Sequence, residues 1–471
     1  MRRLSPNDAL FLFSESLETK MHVASMMPFT PPADAGPDYL RELWNEIRGI
    51  REVEAPWNQR LQTPGWLKNP FPAWVPAERV DIDYHVRRSA LPAPGDEREL
   101  GVLVSRLHAH PVDFTRPPWE MHIIEGLERG RFALYTKLHH ALIDGFTGNR
   151  MLSRSLPTDP EDRTHPLFFT IPQPHRERAP SELSPVDRAL VGLKRQAEAA
   201  REVFSALGQV REALRGRPPG YPTEAVEAGF MAMPQAPACI LNGRIGRNRR
   251  FATQQYPLDR LKVLARDTGG TLNDIVLAIS GTALRRFLLD LHALPTAPLV
   301  AMLPVNIRPK DDPGGGNAVG TLFVSLATDL ADPIARLEAT MASARRGKSM
   351  LKSLSREAIM QLSALMMAPS GMQTIAGLMG RVRPQFNVCI SNVPGPEQPL
   401  YFRGSRLEAV YPLSIPIHGQ ALNITCQSYA DTINFGFTGC RDTLPRLQRL
   451  AVYTGEALHE LEGAVAGSRV L

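Results

Sequence analysis

The 471-residue chain is too long for one ordinary core and suits two domains of similar size. Its 43% hydrophobic and 22% charged residues are ordinary for a soluble globular protein, so disorder is not the default. The net charge of +6 favours anionic ligands or an anionic membrane face, but no run of Lys and Arg is interleaved with aromatics, which argues against nucleic acid as a partner.

Cys239, Cys389, Cys426 and Cys440 have no CxxC spacing, so neither a zinc site nor a disulfide framework is implied, and a reduced cytoplasmic protein is the simplest inference. The basic start at Arg2-Arg3 lacks a following apolar region because Asn7, Asp8, Ser14, Glu15 and Glu18 interrupt it, so the segment is expected to be retained. No apolar stretch approaches the roughly 18–20 residues that span a bilayer; membrane contact is expected to be peripheral.

Ser5 as N-cap, Pro6 at the first helical position and Asp8 in the first turn predict a helix through about Leu17. A strand over 22–29, a loop over 31–37 and a helix over 39–51 follow. Residues 56–80 read as strands and turns, Asp81–Val86 as a strand, Leu91–Gly95 as a rigid loop and Glu99–His110 as an amphipathic helix. Strands within 116–127 and over 131–138 flank Glu128-Arg129-Gly130 and form a hairpin.

The second strand leads into Lys137-Leu138-His139-His140-Ala141-Leu142-Ile143-Asp144-Gly145. Alternation places His140 on the face of Phe132, Leu134, Thr136 and Leu138, and His139 on that of Ala133, Tyr135 and Lys137. One histidine can therefore project into a cleft as acid or base while its neighbour fixes the loop. Asp144 has two roles open to it: a triad-like partner of a histidine, or a carboxylate paired with an arginine that braces the loop. The absence of a GxSxG elbow favours bracing. Without an HExxH pattern or a further ligand cluster, no metal is expected on His139, His140 and Asp144. A helix over 147–156 follows the Asp-Gly break.

Residues 157–180 form a proline-rich loop leaving the first domain, and 185–215 read as a long amphipathic helix, either a surface helix on the seam or a basic element touching lipid. The expected organisation is 1–180, a crossover helix and linker over 181–240, and a second domain over 241–471. The arginines of 244–250 could meet phosphates or be solvated. Leu258–Asp267 is a helix, and Thr271 is the N-cap of another, where Asn273 either caps or donates to a developing oxyanion. Leu299–Leu303 reads as a buried strand; beyond it Arg308 is the first candidate partner for Asp144, with Arg250 second. Gly314–Gly320 lacks P-loop and dinucleotide spacing and reads as a turn. The methionine-rich segment 334–379 is read as helices broken near Pro369, suited either to a lipid pocket or to an ordinary core. Strands over 386–393, 413–417, 422–428 and 432–438 and a closing helix over 444–461 complete the chain.

HHxxxDG followed by a helix resembles the active-site motif of the superfamily of chloramphenicol acetyltransferase, carnitine acyltransferases and peptide-synthetase condensation domains. Together with Leu4-Ser5-Pro6-Asn7-Asp8-Ala9, Met21-His22-Val23, Tyr84-His85-Val86, Leu91–Gly95, Pro117-Pro118-Trp119-Glu120, Leu241–Phe251, Asn273-Asp274 and Phe386–Pro396, it resembles the bacterial wax ester synthase/diacylglycerol acyltransferase family over nearly the whole chain. Lys20-Met21-His22 and Pro117-Pro118-Trp119 depart from that family's usual Pro-Met-His and Pro-Leu-Trp, which bears on substrate preference more than on chemistry.

The resemblance implies an α/β fold of two chloramphenicol-acetyltransferase-like subdomains, each a mixed sheet flanked by helices, with the active site in a tunnel between them. It implies transfer of a long-chain acyl group from acyl-CoA to a fatty alcohol or diacylglycerol, with His140 as general base, His139, Asp144 and Gly145 around it and Asn273 near the oxyanion. Acyl-CoA is then a substrate, no cofactor is required, and the enzyme is cytoplasmic or peripheral at the inner membrane or lipid inclusions. The alternatives are a condensation-type transferase acting on an amine and a non-catalytic acyl-CoA-binding or lipid-binding protein.

Overall fold

The computed structural model describes residues 2–4, 6–63, 72–143, 145–172, 236–306, 319–352, 354–375 and 377–468. The first half runs β1 (Arg2–Arg3), α1 (Pro6–Phe13), β2 (His22–Thr30), α2 (Tyr39–Gly49), β3 (Gln59–Leu61), β4 (Ala73–Pro76), α3 (Ile82–His85), β5 (Val86–Ala90), α4 (Glu97–Ala109), β6 (Trp119–Glu125), β7 (Phe132–His139) and α5 (Gly145–Arg154). The second runs β8 (Arg249–Pro257), α6 (Leu258–Asp267), α7 (Leu272–Asp290), β9 (Val300–Asn306), β10 (Val319–Ser325), α8 (Pro333–Lys352), α9 (Arg356–Ile375), β11 (Val388–Val393), β12 (Tyr401–Phe402), β13 (Ser405–Leu407), β14 (Tyr411–Leu413), β15 (Leu422–Tyr429), β16 (Thr432–Cys440) and α10 (Arg449–Ser468).

Each half carries a mixed sheet flanked by helices, as expected. In the first, the order β13-β2-β7-β6-β5 is antiparallel except for the parallel pair β5–β6. In the second, β10-β9-β11-β15-β16-β8 is parallel only at β9–β11 and β11–β15. Strand β7 is buried along its whole length, because α4 covers one face and an apolar cluster with Leu43 and Ile47 of α2, Trp57 and Trp119 covers the other. Such two-sided burial accounts for the apolar start of the strand at Phe132, Ala133 and Leu134, while Thr136, Lys137 and His139 further along are buried polar residues.

The halves are interlocked. β12, β13 and β14 come from the second half but extend the first sheet, β13 and β14 pairing directly with β2. The strand expected over 413–417 lies instead at Tyr411–Leu413, where pairing with Ala24–Met26 ends it. From the other side, α4 lies on β8: Ser105 Oγ accepts from the Phe251 N–H (2.8 Å), and Phe251 is buried with Leu100, Leu103, Val104 and Leu413. Burying an aromatic side chain such as Phe251 contributes about 1.5–3 kcal/mol.

Several local expectations are corrected. α1 stops at Phe13, not near Leu17, because Ser16 turns the chain: its N–H donates to the Thr19 carbonyl (2.8 Å) and its Oγ accepts from the Thr19 N–H (2.9 Å). Ser5 lies outside the described residues. The segment read as a strand over Asp81–Val86 begins with a helical turn, since the Asp81 carboxylate caps the Tyr84 N–H (3.4 Å); the strand starts at Val86. Helix α9 runs through position 369, and the break falls between α8 and α9. A proline inside a helix disrupts the backbone ladder. Here the Gln385 side chain bridges the gap, accepting from the Ser370 N–H (3.2 Å) and donating to the Met366 carbonyl (2.9 Å). Met341 and Met366 belong to the second core, whereas Met360 is exposed. The segments 185–215 and 307–318, with Arg308, lie outside the described residues. Among the described residues, no helix is long and apolar enough to cross a membrane.

Candidate active site

The site is built at the end of β7. Pairing of β2 with β7 sets His22 opposite His139, and the ladder runs one residue further, the His140 N–H donating to the Met21 carbonyl (2.8 Å). On the other side the His139 N–H donates to the Pro118 carbonyl (3.0 Å). Both histidine backbones are thus clamped between neighbouring segments before the chain turns at Ala141.

The side chains enter different surroundings, as alternation requires. His139 is fully buried, edge-on to Phe114. Its Nδ1 accepts from the Ala141 N–H (3.1 Å), so Nε2 carries the hydrogen and donates to Glu15 Oε2 at 2.6 Å. A second donor, the Met21 N–H, reaches the same oxygen at 3.3 Å. His140 is only partly buried and stacks on Phe11 of α1 at 4.1 Å between ring centroids. One short N-terminal segment therefore supplies both Phe11 and Glu15, and each holds one histidine of the pair. Sequence inspection missed Glu15, whose only earlier role was to interrupt an apolar region.

Behind His139, on the same sheet face, lies a buried polar band. The Lys137 ammonium group is 3.1 Å from Glu120 and donates to the Leu107 (3.3 Å) and His110 (3.1 Å) carbonyls at the end of α4. Burial opposes ionisation of Glu120, yet His122, Lys137 and Arg87 outweigh it and hold its carboxyl at about 2. His22 donates from Nε2 to the His108 carbonyl (2.9 Å), and His108 Nδ1 meets the Tyr135 hydroxyl at 2.9 Å. Burial pushes both imidazoles down, His108 to about 3. They stay uncharged at neutral pH and support the strand without competing as bases.

Gly145 opens α5, whereas Asp144 lies outside the described residues; Arg250 is placed on β8. In the second half, Thr271 Oγ1 accepts from the Asp274 N–H (3.3 Å) and the Asp274 carboxylate accepts from the Thr271 N–H (2.9 Å), a closed capping box. Asn273, in the same first turn and partly buried, is not the cap. Among the described residues, no group of three or more His, Cys, Asp or Glu side chains is arranged to hold a metal.

The arrangement offers one partly accessible imidazole on a rigid strand end, which is what proton transfer to and from a bound hydroxyl requires. Residues 4–276 match the model of the wax ester synthase/diacylglycerol acyltransferase catalytic domain, and residues 315–462 match the C-terminal domain of the same family. A Mycobacterium tuberculosis protein provisionally named diacylglycerol O-acyltransferase is 53% identical, with 98% of this chain and 97% of that protein covered. The solved wax ester synthase/diacylglycerol acyltransferase of Marinobacter aquaeolei is similar at a TM-score of 0.78 and 37% identity, covering 99% of this chain and all of the other. The first condensation domain of the calcium-dependent antibiotic synthetase shares the fold, at a TM-score of 0.58 and 17% identity over 98% of this chain and 96% of that domain.

Proposed function

The chain belongs to the wax ester synthase/diacylglycerol acyltransferase family and is an acyltransferase, and from that premise we propose that it moves a long-chain acyl group from acyl-CoA to a fatty alcohol or diacylglycerol with His140 as general base. The supporting observation is the unequal environment of the two histidines: Glu15 and the Ala141 N–H occupy both ring nitrogens of His139, leaving the partly exposed His140 for the chemistry. His140 takes the proton as the hydroxyl oxygen attacks the thioester carbonyl. The tetrahedral intermediate collapses, the C–S bond breaks, and the imidazolium returns the proton to the thiolate. Such proton transfer contributes about 10² to 10⁴ in rate. Asn273, free of the capping role, is the candidate donor to the oxyanion. Acyl-CoA is consumed as substrate, and no cofactor enters the scheme.

On this reading the enzyme is cytoplasmic and meets its acceptor at a membrane or lipid-inclusion surface, which its net charge of +6 favours when that surface is anionic. The test is labelled palmitoyl-CoA offered with hexadecanol, dioleoylglycerol and an amine, using wild type and His140→Ala. Ester from wild type and none from the variant is expected. Amide would indicate condensation chemistry, and binding without product a lipid carrier; ester from a folded His140→Ala protein would refute the base assignment.

A further inference from the structure

The segment that carries Glu15 is fastened to the second half of the chain by groups the reaction does not use. Lys20 is buried, and its ammonium group donates to the Leu17 carbonyl (2.6 Å), closing the loop that begins at Glu15, and to the Arg247 carbonyl (3.5 Å). The buried Arg249 donates to the Glu18 carbonyl, and the Arg247 guanidinium lies 3.7 Å from the Glu18 carboxylate. The residue after Lys20 is the one whose N–H holds Glu15 and whose carbonyl holds His140. A buried ammonium group must be matched by acceptors; here they are one carbonyl from each half.

We propose that Lys20 is a positioning residue: its ammonium group locks the Glu15–Lys20 loop onto the second half, so that the placement of the His139–His140 pair depends on the two halves being in contact. The inference rests on His140 being the base. The titratable and charged groups that act on Lys20 include Glu15, Glu18, Arg247, Arg249 and the buried His108, which stays uncharged at neutral and alkaline pH. Burial and the Arg249 charge push the ammonium down to about 8, against the pull of Glu15 and Glu18. The lock is therefore complete below that pH and weakens above it.

Lys20→Met and Lys20→Arg test the role, with His140→Ala in parallel and activity followed from pH 6 to about 10, a range in which an arginine stays charged. Lys20→Met is expected to lower kcat about tenfold or more with little change in KM, the signature of a misplaced base. Wild type should lose activity as pH rises through about 8, and Lys20→Arg should restore kcat while moving that alkaline loss upward. If Lys20→Met does not fold, the Lys20→Arg profile decides alone. An inactive His140→Ala beside Lys20 variants with wild-type kcat and an unmoved pH profile overturns this proposal only. An active His140→Ala removes the base assignment, and the proposal falls with it.

Discussion

His139 and Glu15, 124 residues apart in sequence, share a 2.6 Å hydrogen bond that leaves His139 no free ring nitrogen. On the proposed mechanism this contact makes the first histidine of the motif a support for the second. Glu15→Ala should remove a hydrogen bond to a charged acceptor worth about 1.5–3 kcal/mol and lower kcat more than it raises KM. Glu15→Gln keeps an acceptor and should fall between. Chemical denaturation and steady-state kinetics on the same preparations check both, and an unchanged kcat in Glu15→Ala would separate Glu15 from catalysis.

On the proposed mechanism the first turn of α7 divides two tasks between neighbours, capping at Thr271 and oxyanion donation at Asn273. Thr271→Ala breaks the capping box and should cost about 0.5–2 kcal/mol of stability with kcat preserved. Asn273→Ala should do the reverse, lowering kcat by about 10² to 10³ at an unchanged Tm. A kinetically silent Asn273→Ala would remove it from the oxyanion site.

Acid should destabilise the first half through its buried imidazoles. Burial lowers His85 to about 4 and His108 to about 3, below the roughly 6.5 of an unfolded histidine. A depressed folded pKa means the unfolded chain binds protons first, so stability is full above about 6.5 and is lost as pH falls. Each of the two should account for roughly 2–3 kcal/mol by pH 4.5. Replacing His108 with Gln should flatten the decline of Tm between pH 6.5 and 4.5; an identical slope would mean that its titration is not coupled to folding.

The interlock of the halves has a steric test at Gly436 on β16. A Cβ there would lie 1.9 Å from the Pro412 carbonyl oxygen, on the strand donated to the first sheet. Gly436→Ala should cost about 1–3 kcal/mol or more by overpacking and loosen β14, seen as faster exchange of the Tyr411 and Leu413 amides. Wild-type Tm and exchange would show that β14 moves aside without penalty.

Much of this is legible in the amino-acid sequence. The separation of His139 from His140, the Thr271 cap and the mixed α/β character of both halves follow from strand alternation, capping chemistry and hydrophobic period, each local to a few residues. Where two local rules competed, either a distant side chain or a local cap decided. Position 369 stays helical because Gln385 bridges the interrupted ladder, and Asp81 begins a helical turn within a segment that alternates like a strand.

The motif itself established which histidine faces which way and what chemistry an imidazole can perform. It did not contain Glu15, Phe11 or Lys20, nor the donation of β12–β14 to the first sheet. Those depend on which distant segments the topology brings together, and a hydrogen-bond partner more than a hundred residues away leaves no periodic trace in the chain. Local geometry orients a side chain; only the packed fold determines what it meets.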